Sequence, residues 1–135
     1  LSPRILSEQG LGPALEELTA GLPVETDVSW EGRTGSGAPS PSDEASEDLY
    51  LIASEAITNA MKHSGCSRIE VDVARQDDVV QLTVRDDGAG GAAPTGRGIL
   101  SMAARARRLG GTFELVSPDG GPTTVTVRIP SGGPR

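Results

Sequence analysis

Two periods organise the hydrophobic positions of this chain. Leu11, Ala14, Leu15 and Leu18 recur at helical spacing, Pro13 suits a first helical turn, and Gly21 follows the last periodic residue; together they predict a first helix from about Gly12 to Ala20. Val24, Thr26, Val28 and Trp30 then alternate with Glu25, Asp27 and Ser29, the period of a half-buried strand, with Trp30 packing at its end. Residues 32–42 lose both periods and are rich in Gly, Ser and Pro, which predicts a flexible loop. Ser42 or Asp43 can cap a second helix, with Glu44 and Glu47 in its first turn against the positive helix end. That helix runs to about His63 and stops at Ser64-Gly65.

Beyond it, Ile69, Val71 and Val73 alternate with Arg68, Glu70 and Asp72 to give a strand, Gln76-Asp77-Asp78 turns the chain, and Val80, Leu82 and Val84 give another strand. Continuing that last period places Asp86 on the apolar face. A carboxylate directed toward a core is costly unless it has a dedicated partner. Ile99, Met102, Ala103, Ala106 and Leu109 return to the helical period, with Arg105, Arg107 and Arg108 near the C-terminal end and Gly110-Gly111 as the stop. Phe113 and Leu115 begin a strand, Ser117 to Pro122 form a turn, Val125, Val127 and Ile129 alternate in a last strand, and residues 131–135 read as a tail. This order predicts helices layered on one side of a mixed, mostly antiparallel sheet.

Composition narrows the class. At 135 residues the chain suits one domain, 1–135, with a core built from Val, Leu, Ile and Ala, because Phe, Tyr and Trp occur once each. A formal net charge of -7 argues against a nucleic-acid surface, which needs clustered cations. The single cysteine, Cys66, excludes an internal disulfide and fits a reducing cytoplasm. No membrane-length apolar run or signal peptide is visible, so no membrane contact is expected of this chain. Its first residue is Leu1 rather than Met, which reads as a piece of a longer protein.

The polar positions then point to chemistry. On a straight helix turning ~100° per residue, Glu55, Asn59 and Lys62 share a narrow stripe, away from the apolar face of Leu49, Ile52, Ala53, Ala56, Ile57 and Ala60. Gly88 to Gly98 holds glycines at 88, 90, 91, 96 and 98 and opens into the Ile99 helix, where free backbone N–H groups and the positive helix end can receive an anion. There is no Gly-Lys-Ser or Gly-Lys-Thr of a Walker loop, and the strand and crossover of a dinucleotide fingerprint are missing. Mg2+ takes oxygen ligands and needs only one or two from protein beside phosphate. Asn59 could supply one, Glu55 could orient a water or polarise a nucleophile, and Lys62 and His63 could neutralise phosphate.

These motifs, in this order, resemble a known family. Glu55 to Ser64 resembles the N box of the GHKL ATPases, Asp86-Asp87-Gly88-Ala89-Gly90 their first glycine box, and Gly96-Arg97-Gly98-Ile99-Leu100 their second. Leu49-Tyr50, the run from Gly98 to Gly111 and the run from Thr123 to Pro130 look like the catalytic, ATP-binding domain of bacterial two-component sensor histidine kinases, nearest the nitrate-sensor-like branch. The resemblance spans about Leu11 to Pro130. It implies an α/β fold, an α+β two-layer sandwich of the Bergerat ATP-binding type whose sheet is covered by three helices.

The resemblance also implies roles. Asn59 would coordinate Mg2+, Asp86 would receive the adenine amino group of ATP, Gly88 and Gly90 would line the adenine pocket, and Gly96 and Gly98 would face the phosphates beneath a lid. Lys62 and His63 match positions near the phosphates, and Thr123 matches a threonine of the adenine-side wall. Such domains phosphorylate a histidine on a separate dimerisation and phosphotransfer domain, from which the group passes to a response regulator. His63, the only histidine, lies inside the N box and is not that acceptor. Two departures stand out: Gly91 to Thr95 makes a short lid without an aromatic, and Pro122 stands where relatives often carry glycine. A serine kinase of the same fold acting on an anti-anti-sigma factor, and a nucleotide-sensing or interaction module without catalysis, are the alternatives.

Overall fold

The two periods become two layers in the computed structural model, which describes residues 4–30, 43–92 and 96–130. The described elements run α1 (Arg4–Gln9), α2 (Leu11–Ala20), β1 (Glu25–Trp30), α3 (Asp43–Asn59), a π-helical segment (Ala60–Ser64), β2 (Arg68–Gln76), β3 (Val79–Asp86), α4 (Arg97–Arg108), β4 (Thr112–Val116) and β5 (Thr123–Pro130). The short α1 is one helix more than the three the sequence predicts. Its six residues are too few to show a period, and Gly10, at φ 96°, separates it from α2. The expected loop at 32–42 and tail at 131–135 lie outside the described residues.

The strands form one sheet in the order β1-β2-β3-β5-β4, with β1 parallel to β2 and every other pair antiparallel. The register aligns inward side chains in rows. Val28, Val71, Val84, Val125 and Leu115 make one row, and Trp30, Val73, Leu82, Val127 and Phe113 the next. Against them pack Leu15 of α2, Leu49 and Ile52 of α3, and Met102 and Ala106 of α4, all buried. Burying these branched side chains supplies the main driving force for the fold, at roughly 1.5–3 kcal/mol for each large one. The outward positions of β2 and β3 are at least partly exposed and mostly polar, among them Glu70, Asp72, Gln81 and Arg85, with Ala74 and Val79 as exceptions.

Two features fix the helix layer, one against the sheet and one between helices. The Trp30 ring lies over Gly12, where a Cβ would enter the indole, and Trp30 Nε1 donates to Glu16 Oε2 at 2.8 Å. On the other side, buried Asp48 of α3 accepts from Arg105 and Arg108 of α4, joining the two helices.

Candidate functional site

A third row of the sheet ends in chemistry rather than in packing. Thr26, Ile69, Asp86 and Thr123 are register partners, so the inward position of β3 that follows Val80, Leu82 and Val84 is a carboxylate. Asp86 is 6% exposed, as its place in the period predicted. Its Oδ1 accepts the Gly88 N–H at 2.8 Å, and the other oxygen has no protein partner among the described residues. The neighbouring Asp87 has the opposite fate. It accepts from the Ser67 hydroxyl at 2.7 Å and from the Ser67 and Arg68 N–H groups at 2.8 and 3.0 Å, clipping the exit of β3 to the start of β2. The Ser67 hydroxyl, then these backbone donors, hold the Asp87 carboxyl below its usual range.

Asp86 opens on a cavity of about 530 Å³. Asn59, Asp86, Gly90, Gly96, Gly98 and Thr123 all line it, so six of the residues singled out in the sequence converge on one space. Its remaining walls are largely apolar, with Ala56 and Ala60 on one side and Ile99, Met102 and Val125 on the other. A half-apolar cleft with a few directed polar groups suits a flat heterocycle carrying a charged tail.

The charged tail has its own end. Gly96 is the N-cap of α4 and has no side chain to bond the first-turn amides, which have no side-chain partner among the described residues. Gly98 lies directly against α3. A Cβ there would collide with Glu55 Oε1 and stand 3.2 Å from Asn59 Nδ2. Neither Glu55 nor Asn59 has a side-chain hydrogen-bond partner among the described residues. An amide and a carboxylate with no side-chain partner among the described residues therefore meet the N-terminal end of a helix.

The other sequence-derived residues are placed less centrally. Gly88 is buried, but it donates to Asp86 from behind the cavity wall, and its carbonyl backs onto Gly121. The straight-helix stripe holds for Glu55 and Asn59 and breaks at Lys62. From Ala60 the helix widens to π geometry, with more residues per turn, and Lys62 is exposed and outside the cavity lining. The side chain of His63 lies outside the described residues. Sequence reasoning assigned no individual role to Arg97 and Gly91, which also line the cavity, and read Ser117 only as part of a turn. Its Oγ is 2.6 Å from Thr123 Oγ1. Asp48 could have been noticed as an acid at an apolar position one turn before Ile52.

A metal at this site would have few protein ligands. Among the described residues no group of three or more His, Cys, Asp or Glu converges to hold an ion. The donor set of one amide oxygen beside a helix N-terminus fits Mg2+, which retains water and takes phosphate oxygens where these are supplied. Among the same residues no helix is long and apolar enough to cross a membrane.

Comparison with known proteins agrees with this geometry. Residues 44–133 match the family described as histidine kinase-, DNA gyrase B-, and HSP90-like ATPase. The chain is 39% identical over 132 residues to the nitrate/nitrite sensor protein NarX of Escherichia coli (strain K12), covering 90% of this chain and 21% of that protein. It is 29% identical over 142 residues to the sensor histidine kinase MctS of Rhizobium johnstonii, covering 100% of this chain and 31% of that protein. Thus it spans about a fifth to a third of the length of these relatives. Among solved structures, the histidine kinase domain of the Erythrobacter litoralis EL346 blue-light activated histidine kinase is similar with a TM-score of 0.72 at 19% identity, over 90% of this chain and 63% of that one. The ATP binding domain of PrrB from Mycobacterium tuberculosis is similar with a TM-score of 0.63 at 25% identity, over 93% of this chain and 92% of that one. The match over 44–133, the order of the motifs and the cavity between α3 and α4 lead to one conclusion: the chain belongs to the histidine kinase-, DNA gyrase B- and HSP90-like ATPase family, and its relatives there are sensor histidine kinases.

Proposed function

We propose that this chain binds Mg-ATP in the cavity between α3 and α4 and donates the γ-phosphoryl group to a histidine on a separate dimerisation domain, in signalling that continues to a response regulator. The observation that carries the proposal is the approach of Gly98 to Glu55 and Asn59, with the open oxygen of Asp86 in the same cavity. One end accepts a hydrogen bond from a base; the other receives phosphates.

In this reading Asp86, fixed by Gly88 through Oδ1, offers its second oxygen to the adenine amino group. Gly90 allows the base to approach the backbone, and Gly96 and Gly98 present the first amides of α4 to the phosphates. Asn59 holds Mg2+, which when bound would neutralise phosphate charge. Lys62, exposed three residues beyond Asn59, serves as a cation reaching the phosphates from solvent, and His63 keeps the phosphate-side role that the resemblance implies. Glu55 accepts a hydrogen bond from the N–H of the incoming imidazole and takes that proton as the other ring nitrogen bonds to the γ-phosphorus and the bond from phosphorus to the departing ADP oxygen breaks. The whole of residues 1–135 acts as one catalytic domain, working in the cytoplasm where ATP and the regulator are found.

The deciding experiment mixes the chain with a dimerisation domain bearing the acceptor histidine and radiolabelled ATP. Label is expected on that histidine and not on a serine of any added substrate. A chain that binds nucleotide yet transfers no label to the histidine would sink the kinase reading and leave a nucleotide-binding module.

A further inference from the structure

Ser117, just beyond β4, joins two separate pieces of the cavity wall through three hydrogen bonds without lining the cavity itself. Its Oγ lies 2.6 Å from Thr123 Oγ1 and accepts the Ala92 N–H at 2.9 Å, and its carbonyl accepts the Gly91 N–H at 3.0 Å. Thr123, Gly91 and Ala92 all line the cavity. The rest of the turn closes on the same segment. The Gly120 N–H donates to the Ala89 carbonyl at 2.7 Å, a Cβ on Gly90 would collide with the Pro118 carbonyl, and one on Gly121 with the Gly88 carbonyl. Backbone meets backbone here, so the β4–β5 turn and the segment after Asp86 form one unit.

The hydroxyl count then sets a direction. Serine has one proton and two lone pairs, and the Ala92 amide occupies one lone pair. Across the β3–β5 ladder Thr123 faces Asp86. A carboxylate at the directly opposite position attracts the positive end of the Thr123 hydroxyl dipole toward itself and the cavity, which turns the Thr123 lone pair to Ser117. We propose that Ser117 donates to Thr123 and is the positioning residue that fixes the donor and acceptor pattern at the base end of the cavity. Asp86 is the acceptor there, and the Thr123 hydroxyl is a donor beside it. That pattern complements an edge with an exocyclic amino group next to an unprotonated ring nitrogen, as in adenine. It opposes the oxo group and ring N–H of guanine. The inference deepens the nucleotide-binding reading above and rests on it.

The test measures ATP and GTP affinity by titration for the unmodified chain, Ser117→Ala and Ser117→Thr, and follows amide exchange of Gly91 and Ala92 by NMR without nucleotide. Ser117→Ala is expected to weaken ATP about fivefold, the loss of one neutral hydrogen bond, while GTP changes by less than about twofold, so that discrimination shrinks. The Ala92 amide is expected to exchange faster in Ser117→Ala alone. Ser117→Thr, which keeps the hydroxyl, restores both the preference and the protection. Equal weakening of ATP and GTP in Ser117→Ala, or loss of preference in Ser117→Thr, overturns the inference. Unchanged ATP affinity in Ser117→Ala also overturns it and leaves nucleotide binding standing, whereas an unmodified chain that binds neither nucleotide overturns both.

Discussion

Asp48 on α3 accepts Nη1 of Arg105 on α4 at 3.1 Å, and Arg108, one turn further along α4, closes on the same carboxylate through Nε at 3.3 Å and through Nη2. The three side chains differ in exposure: 5% for Asp48, 32% for Arg105 and 58% for Arg108. Because α3 carries Asn59 and α4 begins at the glycines facing it, this contact sets how the two cavity walls lie on each other.

The difference in exposure ranks the substitutions. Asp48→Ala leaves two cations able to turn into water and is expected to cost about 1.5–3 kcal/mol, the loss of charge-assisted hydrogen bonds. Arg105→Ala combined with Arg108→Ala leaves a buried carboxylate alone and is expected to cost more, about 3–5 kcal/mol. Urea unfolding followed through the single tryptophan, Trp30, measures both. The reverse ranking would show that the stranded arginines, not the stranded acid, bear the larger desolvation cost.

Gly98→Ala places a Cβ against the Glu55 carboxylate. Overpacking of this kind costs about 1–3 kcal/mol, so the variant is expected to fold with a lowered melting temperature while nucleotide affinity falls steeply. Circular dichroism and calorimetric titration read the two effects separately, and unimpaired ATP binding in a folded Gly98→Ala would place the phosphates elsewhere.

At the two ends of the cavity, separate losses are expected. Asn59→Ala removes the Mg2+ dependence of nucleotide affinity, and Asp86→Asn weakens adenine recognition by roughly 1.5–3 kcal/mol, the range for a hydrogen bond to a charged group. Titrations with and without Mg2+ check the first; comparison of ATP with an analogue lacking the amino group checks the second, since that analogue should not distinguish the aspartate from the asparagine.

Asp87 gives an acid limb to stability. Its carboxyl is held below the usual range by the Ser67 hydroxyl and the Ser67 and Arg68 amides, so the folded state binds a proton less readily than the unfolded chain. The stabilisation is complete above the ordinary carboxylate value of about 3.9 and disappears as pH falls through the lowered folded value. Asp87→Asn is expected to flatten this decline in denaturation curves taken at successive pH values. An unchanged slope would assign the acid limb to other carboxylates.

Much of the site was legible because it follows from period. Asp86 had to face inward once Val80, Leu82 and Val84 did, and glycines ahead of an amphipathic helix mark an anion-receiving end whatever the fold. Three parts were not legible, each for its own reason. The parallel pairing of β1 with β2 depends on a crossover that alternation cannot reveal. Asp48 stands out only as an acid at an apolar position one turn before Ile52, and its two arginines, far along the chain, leave no local trace. Ser117 stands in Ser-Pro-Asp-Gly-Gly-Pro, a composition that accounts fully for a turn and hides a hydroxyl with two partners.

The π-helical segment after Asn59 gives the chain a seam. Up to Asn59 each side chain is locked to its helical neighbours, and changing the phase of one would shift them all. Past Ala60 the wider turn ends that linkage, and Gly65, in left-handed conformation, releases the chain into β2. Charge and size at the exposed Lys62 can therefore change without displacing the amide of Asn59, whereas Met61 stays tied to the core it packs against. A substitution on the rim at Lys62 can thus alter charge beside the cavity while the Asn59 amide stays still.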